Sequence, residues 1–95
     1  MPRKVDVNQP AIVAGLRRCG ALVQDLHEVG KGCPDILVGW QGALHVIEVK
    51  APGKNGHLTD DEFTWHQKWH GYPVHVCETL HEALHAIGAI DEPQP

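Results

Sequence analysis

Apolar residues at Ile12, Val13, Leu16 and Cys19 recur at the spacing of one helical face, between Asn8, a residue type that caps helix starts, and Gly20, one that ends helices. With Pro10 tolerated in a first turn, the pattern predicts a helix over residues 8–19. Residues 21–26 then form a short extended run, and a Gly30-Lys31-Gly32 loop comes next. Pro34 stands where a strand begins and needs no ladder hydrogen bond, so a strand is predicted over 36–38. After Gly39-Trp40-Gln41-Gly42, residues 43–49 are mostly apolar and rich in β-branched side chains, as in a central strand covered on both faces. Residues 51–57 are a polar loop.

The second half carries two helix-start signatures. Thr59 and Glu62 have capping-box spacing, Leu58 is placed to staple against Phe63, and Gly71 supplies a stop, which predicts a helix between 59 and 71. Residues 72–77 read as a short strand. Thr79 and Glu82 form a second box, opening a helix through Leu80, Ala83, Leu84 and Ile87 to Gly88. Residues 89–95 are expected to be a flexible tail. The order αβββαβα, without an internal repeat, predicts a single α/β domain over 1–95, with a mixed sheet flanked by helices and a short C-terminal helix.

Composition narrows the class. A chain of 95 residues, 42% hydrophobic and 21% charged, supports one modest core and not two. No run approaches the roughly 18 apolar residues that span a bilayer, and Met1 leads into polar sequence, so an intracellular, cytoplasmic protein off the membrane is expected. Cys19, Cys33 and Cys77 are odd in number and lack a CxxC pair; they are expected to be reduced, small core residues without a disulfide. Eight basic against 12 acidic residues give a net charge of −4, which argues against an extended basic surface. A metal-dependent cleft needs carboxylates, however, and phosphate attraction needs only a local patch, for which Arg17, Arg18, Lys31, Lys54 and Lys68 are the candidates.

The chemistry emerges from strand register. Segments 36–38 and 43–49 are joined closely enough to form an antiparallel hairpin, and a turn centred on Gln41-Gly42 pairs Trp40 with Ala43. Counting outward, Gly39 meets Leu44, Leu37 meets Val46 and Asp35 comes opposite Glu48. Cross-strand partners point to one face with Cα atoms roughly 4.5–5.5 Å apart, so the two carboxylates can share a hard divalent cation, with the Val49 carbonyl as a further ligand. Lys50, two residues past Glu48, falls on the same face. Magnesium or manganese there would activate a water and clamp a phosphate oxygen, with Lys50 orienting that water or countering negative charge.

Pro34-Asp35 followed, 13 positions after the Asp, by Glu48-Val49-Lys50 resembles the signature of the PD-(D/E)XK nuclease superfamily. The predicted element order is similar to that family's restriction-endonuclease-like αβββαβ core. More narrowly, LRRCG, GCPDILVG, IEVK and LTDDEFTWHQKWHG resemble the small, often phage-borne VRR-NUC branch. The resemblance implies a Mg²⁺- or Mn²⁺-dependent DNA endonuclease with Asp35, Glu48 and Lys50 as its catalytic centre, acting on branched DNA such as a junction or flap. The family commonly places a Glu on the first helix; this chain has Asn8, a candidate for bonding a metal-bound water, with Asp6 nearby. Where the family's second helix often carries Gln, this chain has Glu62. A homodimer is expected, because the core is small and symmetric cutting asks for paired sites. The rival expectation is a nuclease-fold DNA-binding module without turnover, motivated by the net charge and the absent helix-one Glu.

Other patterns have plainer explanations. His81-Glu82-Ala83-Leu84-His85 matches HExxH, but Glu82 already belongs to a capping box and only ten residues follow His85. His66 and His70 share a helical face without a third zinc ligand and are expected to make partly buried polar contacts. Glu62 is expected to cap its helix, as Asn8 caps the first. Trp40, Trp65 and Trp69 are expected in a core or, for Trp69, a subunit interface.

Overall fold

The computed structural model describes residues 6–53 and 57–91. Helix α1 spans Gln9–Arg18 and buries Ile12 and Leu16. Asn8 does not cap it: its backbone is already helical (φ −86°, ψ −10°) and its side chain reaches elsewhere. Cys19 lies beyond the last helical residue and is exposed, outside the apolar stripe to which its spacing assigned it. Gly20 turns the chain at φ 96°, a region that costs residues with a Cβ.

Four strands keep the predicted order, β3 with its predicted bounds and the others with shifted ends: β1 (Leu22–Asp25), β2 (Ile36–Trp40), β3 (Ala43–Val49) and β4 (Val74–Cys77). They form one sheet in sequence order, antiparallel between β1 and β2 and between β2 and β3, and parallel between β3 and β4. A parallel return needs a crossover, and its helix is α2 (Asp60–Lys68). Strand β4 starts after Pro73, which has no N–H to give a ladder. Helix α3 spans Leu80–Ala86.

Alternation along the strands divides the sheet's faces. Ile36, Val38, Ile47, Val49 and Cys77 pack with Ile12 and Leu16 of α1 and Ala83 and Ile87 of α3, and this is the core. Burying such side chains contributes on the order of 1.5–3 kcal/mol each. Asp35, Glu48 and Lys50 fall on the opposite parity. The expectation that β3 is covered on both faces holds only in its second half: Ala43 and Leu44 are exposed and Ile47–Val49 buried.

Helix α2 ends at Lys68, three residues short of Gly71, because Trp69 leaves helical geometry (φ −92°, ψ 65°). Phe63, expected beneath Leu58, is 54% exposed. At α3 the predicted box is displaced by one residue. Thr79 Oγ1 accepts from the Glu82 N–H at 3.0 Å, but the Glu82 carboxylate accepts from the N–H of Glu78 at 2.6 Å. Ala89, expected in the tail, packs against the core and donates its N–H to the Leu84 carbonyl. Residues 92–95 lie outside the described residues. Cys33 and Cys77 are buried, and burial, aided by the Glu82 charge, pushes the Cys77 thiol up to about 12. Among the described residues no helix is long and apolar enough to cross a membrane.

Candidate active site

The hairpin turn has φ 47° at Gln41 and 83° at Gly42, the pair of positive values that a two-residue primed turn requires. That turn sets the register: Trp40 pairs with Ala43, Gly39 with Leu44, Leu37 with Val46 and Ile36 with Ile47. One step further, Asp35 stands beside the end of β3, and its Oδ2 accepts a 2.7 Å hydrogen bond from the Val49 N–H. Its carbonyl accepts from the Leu26 N–H at 2.8 Å, which ties the residue to the end of β1 as well.

Both carboxylates are withdrawn from water, Asp35 at 6% exposure and Glu48 at 1%. Glu48 Oε1 is buried without a hydrogen-bond partner among the described residues, and Oε2 lies 3.6 Å from Lys50 Nζ. Burial, and then the adjacent Glu62 and Asp35 carboxyls, push Glu48 up to about 10. Lys50 is 8% exposed, and its ammonium donates to Glu62 Oε1. Burial opposes that positive charge, but the Glu62 hydrogen bond and the charges of Glu48, Glu62 and Asp6 outweigh it and hold Lys50 above the ordinary lysine range. For Glu62 burial is likewise outweighed, by hydrogen bonds from Glu48, Lys50 and the Thr59 backbone, so its carboxyl sits at about 2.

Glu62, for which sequence reasoning preferred a cap to a role in the site, therefore touches the site's lysine. It does cap: Thr59 N–H donates to Glu62 Oε1 at 2.8 Å and Thr59 Oγ1 accepts from Glu62 N–H at 3.2 Å. The same Oε1 also receives Lys50, so the start of α2 is fastened to the end of β3. Gly32 lets the loop before β2 approach the start of α2, since a Cβ there would run into the Asp61 carbonyl and its φ is 83°.

Asn8 anchors the beginning of α1 to the same end of the sheet. Its Nδ2 donates to the carbonyls of Lys50 at 2.9 Å and Glu78 at 2.7 Å, while its Oδ1 is buried without a hydrogen-bond partner among the described residues. A cleft of about 320 Å³ opens beside Lys50, bordered by Asp6, Ala51, His57, Leu58 and Thr59. Among the described residues, the candidate basic residues lie on different elements. Lys31 precedes Gly32 and so stands near the start of α2, and Lys68 is at that helix's other end. Arg17 and Arg18 lie about 14 Å along α1 from Asn8, where Arg17 donates to the Val23 carbonyl. Lys54 lies outside the described residues. Among the described residues no group of three His, Cys, Asp or Glu is gathered in a form that could hold a metal ion. No family model, curated protein or solved structure matches the chain.

Proposed function

We propose that this chain is a divalent-metal-dependent endonuclease that hydrolyses DNA phosphodiesters, acting on branched or structured DNA. The observation that carries the reading is the convergence of Asp35, Glu48 and Lys50 at one buried strand end, with a Glu48 oxygen that no donor among the described residues reaches. A hard cation fits that donor set, because burial and the adjacent Glu62 and Asp35 carboxyls push Glu48 up to about 10 and a cation among them offsets that crowding. Asp35, Glu48 and the Val49 carbonyl would hold Mg²⁺ or Mn²⁺, which when bound supplies Lewis acidity to a phosphate oxygen and acidity to a water. Lys50 holds a fixed positive charge beside Glu48, suited to orienting the attacking water or countering charge on the phosphate. Glu62 keeps that ammonium in place.

A nuclease-fold DNA-binding module without turnover is the second reading. The observation favouring it is that Lys50 is already engaged by Glu62, so its ammonium is not free to move. Cleavage of labelled linear, flap and four-way-junction DNA with Mn²⁺ or Mg²⁺ separates the two. The nuclease reading expects cutting by the wild type and a loss of at least about a hundredfold in Lys50→Ala and Glu48→Ala. No cutting by a folded wild type with any divalent ion would sink it.

A further inference from the structure

At the far end of α2 from Glu62 lies a cavity of about 430 Å³, bordered by His66, Trp69, His70, Tyr72, Pro73 and Val74. Its size is that of a pocket for a small planar ligand. Trp69 stacks on Trp65 with ring centroids 4.8 Å apart and planes 21° apart, yet remains 47% exposed, so the stack can be continued by another flat ring. His66 faces the same cavity and packs edge-on to Trp65, and its Nε2 is buried with no hydrogen-bond partner among the described residues. Burial, the largest influence on it, lowers the His66 pKa, which keeps the ring neutral and able to donate or accept. None of the residues bordering the cavity is a carboxylate, although the chain carries a net charge of −4. A ring face beside an unsatisfied polar edge suits a nucleobase, whereas a second protein copy would call for an interface of roughly 800 Å² per partner.

We infer that this cavity is a nucleobase subsite, in which an unpaired DNA base stacks on Trp69 and hydrogen-bonds through its edge to His66 once that imidazole turns its buried Nε2 toward the cavity. The inference deepens the nuclease reading and rests on it for the nature of the polymer. Trp69 is seven residues beyond Glu62, roughly 10 Å along the helix, a distance that a short run of unpaired nucleotides spans. A single strand whose phosphate lies at Lys50 therefore reaches the subsite within a few nucleotides, which gives the enzyme a preference for branched DNA with an unpaired arm.

The test uses the full chain carrying Lys50→Ala, so that no cutting occurs, with Mg²⁺ present and a fluorescein-labelled (dT)12 strand as the probe. Adding Trp69→Ala is expected to weaken binding about tenfold, while Trp69→Phe restores most of it. The salt dependence of binding should not change, since a stacked base releases no counterions. Quenching of tryptophan emission by unlabelled (dT)12 should be lost in Trp69→Ala and in Trp69→Phe alike, since both remove the indole on which the base stacks, whereas affinity is lost only in the first. Unchanged affinity and unchanged quenching in Trp69→Ala overturn the subsite. So does a shift from dimer to monomer in Trp69→Ala with affinity for (dT)12 intact, because the cavity would then belong to an interface between copies. DNA cutting by the wild type without this binding signature removes the subsite and leaves the nuclease standing; the signature without cutting does the reverse.

Discussion

Replacing Glu48 by Gln separates the cost of a buried carboxylate from its chemistry. With divalent ions chelated, the folded protein keeps a proton on Glu48 from the ordinary value of 4.5 up to about 10, where the unfolded chain has lost it. That group's contribution to stability is complete below 4.5 and declines as pH rises through 10. Glu48→Gln should remove the decline and be more stable than wild type at pH 9 by about 1–3 kcal/mol, as read from urea melts in chelator. Glu62 behaves oppositely: its contribution is present above 4.5 and lost as pH falls toward 2. Glu62→Gln keeps a capping-box side chain but removes the charge facing Lys50, so circular dichroism should be unchanged while cleavage falls about tenfold. The facing of Asp35 and Glu48 was legible because a two-residue turn leaves one register and strand parity does the rest. Glu62 was not, because a capping box already explains a Glu at that position and a contact to Lys50 twelve residues earlier leaves no local mark. Asn8 was misassigned for the same reason, a helix-start residue being counted as a cap when its partners lie 42 and 70 residues away.

The elements meet at a few points where little can change. Gly32→Ala combines a positive φ with a collision against the Asp61 carbonyl, so the contact between that loop and the start of α2, which carries Glu62, must shift. A loss of at least about 2 kcal/mol is expected in thermal or urea unfolding, with cleavage reduced beyond what the stability change explains. Asn8→Ala removes both bonds from α1 to the ends of β3 and β4 and should cost about 1–3 kcal/mol in the same measurement. Every predicted element is present, β3 with its predicted bounds and the others with ends shifted by up to three residues. Where they moved, a long-range or backbone constraint decided the matter: Pro73 delays β4, and Trp69 leaves helical geometry before Gly71. The uneven covering of β3 was not legible, since an apolar strand reads the same whether a helix lies over Leu44 or water does.

In the whole molecule, the helical crossover and two helix starts bring the ends of β1, β3 and β4 and the beginning of β2 to one side of the sheet. A cation bound there joins groups from separate strands, so divalent ions should raise the melting temperature. At 100-fold excess over Kd the gain is about 2.7 kcal/mol, and Asp35→Ala should abolish it. The turn at Gln41-Gly42 has a consequence for how this protein can vary. It lies six residues from either carboxylate, roughly 20 Å along the strands, and touches no chemistry. Yet a single residue added at its tip would slide one strand past the other and send Asp35 to a neighbour of the opposite face. The hairpin is a ruler whose zero mark is at the tip, and lengthening it there is a mutation of the active site.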